Sequence, residues 1–544
     1  SNLKTPNTMK QLKHILLLAG IISLASCSFL DMEPQDFLAP SQYYKTEADL
    51  ETALTGVYST LHDGALYKNY ILGRLGLDAD LRYDNRDGDV GTSSQYLTAA
   101  SDVKVEGFWQ SLYKGINNAN RLLAEVDNPD IDIAQTRRDE IKGEALFLRS
   151  YYYFLLVSSF GDVPLILIPK EKATKEELNI PRTPSKKVYE QIIGDMETAT
   201  DLVPKLDVLG YGGRVSESAV WGILARVHLY MAGEPLKETS HYEDARDCAL
   251  KVMGLGFHEL NPDFQQIFKN YAQDLYDIKE SIWEVEFYGN GSGLYATLGG
   301  YVGGNNGIRN STDTNNSIGY TYDYINATQY AYKVYKDGDL RRDFTIAPFK
   351  YNWGTKVEEG QEVPKTYWKS TELFNRNCGK FRREFETLLP KHRSYTPTNF
   401  PLLRYADVLL MYAEAENEVN QGPTSEAYAA VNQVVRRGYG KPVNTPDGSV
   451  DWSGMDYTEF REEIQRERAR ELAYESLRKG DLIRWGIFLT QMKDCLADAN
   501  KAPSFGDLKH AKATFGNVTA RDVLWPIPSY EMALNTNLKQ NPGW

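Results

Sequence analysis

The chain has 544 residues, of which 42% are hydrophobic and 25% charged, with a formal net charge of −13. An acidic chain without basic blocks argues against nucleic acid as a partner and against electrostatic docking onto anionic lipid. Four widely spaced cysteines exclude a disulfide framework, and the length is ample for a large hydrophobic core.

The N-terminus carries a short basic start at Met9, Lys10 and Lys13, then the apolar run from Ile15 to Leu24, then Ala25-Ser26-Cys27. This order reads as a secretory signal peptide over residues 1–26, with eight residues ahead of the expected start at Met9. The run is short for a bilayer span and ends in small residues that a signal peptidase accommodates. Cys27, directly after that small pair, is expected to become the lipidated first residue of the mature protein. Cleavage removes three lysines and no acid, taking the net charge to −16. Two or more acyl chains, at about 0.8 kcal/mol per buried methylene, hold such a protein stably on a membrane. No later apolar run approaches the length of a span, so the body is expected to be soluble.

Residues 27–45 read as an extended, lipidated leader, and 46–282 as a helical scaffold. In 137–160, Ile141, Ala145, Leu148, Tyr152 and Leu155 recur at intervals of four and three, which predicts a buried helical stripe closed by Gly161 and Pro164. In 215–232, Ala219, Ile223 and Tyr230 flank a second row of Val220, Leu224 and Val227, closed by Gly233. Small residues on such helices (Ala145, Ala219, Ala225, Ala245, Ala249) predict hairpins stacked like tetratricopeptide repeats. Cys248 shares a helical face with Ala245, Ala249 and Val252 and is expected in the core, while one disulfide among Cys248, Cys378 and Cys495 stays open.

Helical periodicity fades over 283–400, where Gly and Asn cluster from Gly299 to Gly307. It resumes over 401–544, with helices predicted at Leu402–Val419, Thr424–Arg437 and Tyr457–Arg484. The fold class expected is mainly α: a tetratricopeptide-like scaffold of helical hairpins with an irregular, loop-rich ligand-binding region. Within it, Arg404, Asp407 and Glu414, and the block Glu467, Arg468, Arg470 and Glu471, put both charge signs within a turn or two, which favours ion pairs over chemistry.

Between Trp283 and Trp368, aromatic residues make up about a fifth of the chain, against 12% overall. Sugar rings stack their C–H faces on aromatic rings, while Asn, Asp and Arg bond their hydroxyls, and Tyr and Trp offer such contact at low entropic cost. Tyr301, Tyr322 and Trp353, beside Gly, Asn and Asp, are therefore candidate ligand-stacking residues. Trp283, which alternates with polar neighbours, is expected in the core. A second candidate is the loop Asp78–Ala100, with Tyr83, Asn85, Arg86 and Tyr96 as its ligand-binding residues. Its five carboxylates also suit a structural calcium ion, although the loop lacks the EF-hand order of ligands. No HExxH, P-loop, GxSxG or CxxC motif occurs, so no catalytic residue, catalytic metal or cofactor is assigned.

Sequence blocks along the whole mature chain resemble the SusD/RagB family of outer-membrane lipoproteins. They run from Phe29-Leu30-Asp31 and Ala53–Tyr58, through Trp109 with Tyr113–Arg121, Glu144–Tyr153 and Phe160–Leu165, to Leu403–Ala415, Glu467–Glu475, Leu524–Pro528 and Gln540–Trp544. The resemblance implies a lipid-anchored protein, exposed on the cell surface, that captures oligosaccharide for a partner SusC-like TonB-dependent transporter without turning it over. It also implies that ligand contacts come from residues just before the Trp109 helix, where Asp78–Ala100 lies. Ser28, rather than Asp, after Cys27 agrees with the outer membrane. Peptide binding is the alternative that the resemblance leaves open, and polysaccharide cleavage is a further rival.

Overall fold

Apolar and small residues recurring every three or four positions make helix follow helix through most of the chain. The computed structural model describes residues 43–89, 91–291, 298–310, 318–352 and 361–544. Cys27 lies outside these residues. The longer helices are α1 (Glu47–Tyr58), α2 (Val103–Glu125), α3 (Gln135–Phe160), α4 (Ser185–Thr200), α5 (Glu217–Ala232), α6 (His241–Met253), α7 (Tyr405–Asn420), α8 (Ser425–Gly438), α9 (Tyr457–Leu472), α10 (Phe488–Lys501) and α11 (Leu508–Asn517). Their starts are written in the sequence: Thr46, Asp102, Ser216, Thr424 and Asp456 each turn a side-chain oxygen onto a free backbone N–H of the first turn.

From α1 to α8 each helix packs on the next, which builds the expected stack of helical hairpins. Ala145, Ala219, Ala225, Ala245 and Ala249 are all fully buried where the helices approach. Cys248, Cys378 and Cys495 are buried free thiols. Among the described residues no helix is long and apolar enough to cross a membrane.

Among the described residues strands are few and pair in twos. β1 (Arg82–Asp84) runs antiparallel to β3 (Ile325–Ala327), β2 (Ser281–Val285) to β6 (Phe400–Arg404), and β4 (Phe349–Tyr351) to β5 (Lys365–Tyr367). The β2–β6 ribbon enters the helical core. At Gly222 in α5 a Cβ would meet the Leu403 side chain at 2.3 Å, so only glycine lets β6 lie this close. Trp283 in β2 is completely buried, with its ring edge-on to Phe147 (5.1 Å) and Tyr151 (4.8 Å). Trp283→Ala is expected to cost about 3–5 kcal/mol, read as a lower melting temperature.

Two predicted helices are corrected. Leu402–Arg404 belongs to β6: Pro401 holds the chain extended and cannot sit inside a helix. The segment Tyr457–Arg484 is broken after Leu472, where Tyr474 (φ 63°) and Ser476 (φ 61°) adopt left-handed backbone. Tertiary contacts fix that break, as the Tyr474 hydroxyl donates to the Leu81 carbonyl (2.9 Å) and the Ser476 N–H to Asp78 (3.0 Å).

The charged blocks of the C-terminal half pair as expected, but in the interior rather than at helix edges. Glu471 accepts from Arg341 (2.9 Å), Arg404 (2.9 Å) and Arg437 (2.6 Å), and Arg404 also reaches Glu280 and Glu475. Asp407 joins Arg226 to Arg468 at 2.6 Å each, and Asp481 links Arg468 to Arg484, which holds Glu414. All of these side chains are nearly or wholly buried.

Candidate ligand-binding site

The β1–β3 ribbon brings the two candidate regions of the sequence together. Pairing Tyr83 with Asn326 and Asp84 with Ile325 lays the residues after β1 alongside those before β3. The Asn85 N–H donates to the Tyr324 carbonyl (3.1 Å), and the Asn85 amide to Asp323 O (2.6 Å) and Asn326 Oδ1 (2.8 Å). Arg86 Nη2 donates to the Tyr322 carbonyl (2.7 Å). On its other side, the Tyr322–Tyr324 segment is held by the glycine-rich turn: Tyr322 N–H donates to Gly304 O (2.7 Å) and Tyr324 N–H to Asn305 O (2.9 Å).

Three tyrosines stand in a row on this frame. Tyr320 meets Tyr322 edge-on at 4.9 Å, and Tyr322 lies nearly parallel to Tyr324 at 5.8 Å. The Arg74 and Arg86 guanidinium groups sit 3.8 and 4.2 Å from the Tyr324 ring centre, and Arg393 sits 4.4 Å from Tyr320. The Tyr322 hydroxyl shares a hydrogen bond with the Ser394 hydroxyl (3.0 Å). Each of the three rings is half-buried, which leaves part of it open to a ligand.

Beside this row opens a cleft of about 960 Å³, lined by Asn85, Arg86, Asp87, Arg309, Tyr320, Tyr322, Asp323, Lys350, Asn352 and Thr366, among others. Its size suits several sugar rings or a short peptide. Arg309 donates to Asp323 (2.6 Å) and approaches Asp507 at 3.5 Å. Burial pushes the Asp323 carboxyl up to about 6, against the pull of Arg309. The cleft is thus polar and aromatic, with three cations against two carboxylates.

Of the predicted site residues, Asn85, Arg86 and Tyr322 meet at this cleft. Tyr301 is half-buried and packs on Tyr395 (5.5 Å) rather than lining the cleft. Burial, then the neighbouring Tyr395, pushes its phenol up to about 12. Trp353 lies outside the described residues.

Tyr83 and Tyr96 are corrections. Strand alternation turns Tyr83 inward onto Phe374, where it is fully buried and its hydroxyl donates to the Phe374 carbonyl (2.6 Å). Tyr96 is buried against Phe488, with its hydroxyl on Gly76 O (2.6 Å). Neither ring offers a face to a ligand. The glycine-rich stretch is also packed rather than exposed, since Val302–Ile308 are all buried. Gly307 has no room for a side chain, as a Cβ there would lie 2.0 Å from the Gly303 carbonyl. The buried Asn306 side chain accepts from the Gly303 N–H (2.7 Å), so this asparagine serves the backbone.

Of the five aspartates of the 78–89 segment only Asp84 and Asp89 face one another, and Asp84 also accepts from the Ser94 hydroxyl. Asp80 is taken by Arg478, Asp89 by Arg74 and Lys104, and Asp87 by Lys509, while Asp78 accepts a backbone N–H from Ser476. The sequence reading did not single out Arg309, Lys350 or Tyr395. Tyr395 falls beyond the aromatic-rich window, and the two cations carry no motif.

Two family models match the chain: one described as "SusD family" over residues 279–544, and one as "Starch-binding associating with outer membrane" over 28–229. SusD-like protein P2 of Formosa agariphila is 28% identical, covering 98% of this chain and all of its own. A SusD homolog of Bacteroides thetaiotaomicron superposes with a TM-score of 0.84 at 27% identity, covering 93% of this chain and 98% of its own. A laminarin-binding SusD-like protein superposes with a TM-score of 0.69 at 23% identity, covering 92% of this chain and the whole of its own. With two matching models that between them take in most of the chain, and relatives and structures aligned over nearly its full length, the protein belongs to the SusD/RagB family.

Proposed function

We propose that this protein captures oligosaccharide at the cell surface and passes it, unaltered, to a SusC-like TonB-dependent transporter. The observation that carries the reading is the half-buried tyrosine row beside a polar cleft. Tyr322 supplies a stacking face, Arg86 and Asn352 supply donors for sugar hydroxyls, and Asn85, whose amide N–H groups are already engaged, offers its carbonyl oxygen. Relatives described as laminarin-binding and as a surface glycan-binding protein support a glycan over a peptide. The cations Arg86, Arg309 and Lys350 also disfavour basic peptides.

Asp323 is the cleft residue closest in character to a glycosidase acid, because burial raises its carboxyl. Its bond to Arg309 marks it instead as part of the wall that holds Tyr322 and Tyr324. The soluble chain from Ser28 onward, screened on glycan arrays and affinity gels, is expected to bind at least one glycan and to release no new reducing ends from it over hours. Reducing ends above a heat-killed control would overturn the binding-only reading. Failure with every glycan but capture of peptides would favour the rival ligand.

Membrane attachment in this reading rests on acylation of Cys27, in keeping with the outer-membrane association named by the matching family model. Cys27→Ser is expected to move the folded protein from the membrane fraction to the soluble one and to abolish labelling by a fatty-acid probe.

A further inference from the structure

Far from any tyrosine of the cleft in the chain, the turn between α5 and α6 gathers two histidines and an aspartate. His228 lies in the last turns of α5, His241 is the first residue of α6, and Asp244 follows one turn later on the same helix face. The Nδ1 atoms of the two imidazoles are 2.8 Å apart. Asp244 Oδ2 lies 3.2 Å from His241 Nδ1 and 3.8 Å from His228 Nδ1. None of the residues lining the cleft belongs to α5 or α6.

These three ligand atoms form a triangle whose corners are each about 1.9 Å from a common centre. Zinc bonds to imidazole nitrogen and carboxylate oxygen run at about 2.0–2.2 Å, so a metal ion slightly above the triangle reaches all three at normal lengths. Among the described residues, this is the one group of three or more His, Cys, Asp or Glu side chains whose ligand atoms converge in this way.

We propose that His228 Nδ1, His241 Nδ1 and Asp244 Oδ2 form a binding site for a divalent transition-metal ion of the zinc type, with water completing the coordination. Two nitrogens and one oxygen suit Zn²⁺, Co²⁺ or Ni²⁺ rather than Ca²⁺ or Mg²⁺, which take oxygen ligands. Burial, helped by the neighbouring His241, pushes His228 down to about 3, so its ring is neutral at pH 7. When a metal binds, both rings carry their proton on Nε2, and the hydrogen bond between the two Nδ1 atoms is replaced by two metal bonds. His228 is buried while Asp244 is exposed, so the ion has a fixed inner ligand and an entry path from solvent. The bound ion would pin α6 to α5 across the intervening turn, as a staple in the hairpin stack.

The test uses the untagged soluble chain from Ser28 onward, stripped with chelator, beside its His241→Ala and Asp244→Ala variants. Asp244→Ala removes an exposed side chain, so this metal-free variant is expected to melt with the wild type, whereas His241→Ala also removes the hydrogen bond to buried His228 and is compared with its own metal-free form. Calorimetric titration with Zn²⁺, and the visible absorption of added Co²⁺, are expected to show one equivalent bound by the wild type. Affinity should fall by more than about tenfold in each variant, and Zn²⁺ should raise the melting temperature of the wild type alone. No bound equivalent in the wild type would overturn the site. So would equal binding by all three proteins, which would assign the metal to scattered surface carboxylates.

Discussion

Glu471→Ala is expected to cost about 3–5 kcal/mol of folding stability, or to prevent accumulation of folded protein. Its carboxylate is shared by Arg341, Arg404 and Arg437 in a region closed to water, so deletion leaves three buried guanidinium groups short of an acceptor. Glu471→Gln keeps the volume and separates packing from charge. Burial alone would raise the Glu471 carboxyl, but Arg437, Arg404 and Arg341 outweigh it and hold the group down at about 2. A group depressed in the folded state stabilises above its unfolded value, near 4.3 for glutamate, and that contribution is lost as pH falls towards 2. The stability gap between wild type and Glu471→Gln, from urea melts, should therefore narrow between about pH 5 and pH 3. A gap that stays constant on acidification would remove the ion-pair explanation. Asp407, held at about 2 by Arg468 and Arg226 against its burial, adds to the same acid limb of the wild type.

The second large effect is expected in ligand affinity. Alanine at Tyr322 removes the central ring of the row, and a stacked aromatic contributes very roughly 1–3 kcal/mol by analogy with base stacking. Affinity for whichever glycan the screen identifies should fall about ten- to a hundredfold. Arg86→Ala should weaken the same glycan as well, because this side chain lines the cleft and holds the Tyr322 carbonyl. Tyr83→Ala and Tyr96→Ala act as contrasts: their rings are buried, so they should lower the melting temperature. If Tyr322→Ala binds like wild type while remaining folded, the ligand sits elsewhere.

Helix α3 was legible almost to the residue, because Ile141, Ala145, Leu148 and Tyr152 mark its buried stripe and Gly161 ends it. The helical reading failed at Leu402–Arg404 and at Tyr474–Ser476, where partners more than a hundred residues away decide the backbone: β2 in one case, Leu81 and Asp78 in the other. Composition singled out two segments that the pairing of β1 with β3 brings together, and Asn85, Arg86 and Tyr322 line one cleft there. It had no means of telling Tyr83 from Tyr322. Both are tyrosines among polar neighbours, and only the pairing of β1 with β3 decides that one ring faces Phe374 and the other the cleft. Asparagine and glycine misled in the same way, since in Gly299–Gly307 they serve a tight turn of backbone rather than a ligand.

The β1–β3 ribbon also sets a timetable. It joins parts of the chain as far apart as Asn85 and Asn326, a separation of 241 positions, whereas helices α1 to α6 pack on sequence neighbours. Closing so long a loop costs conformational entropy before the first hydrogen bond between the strands repays it, and contacts of this kind form late. The helical hairpins can therefore assemble first, and the cleft last, once the second strand has docked. A chain caught before that step would carry most of the scaffold and none of the cleft proposed to take a ligand.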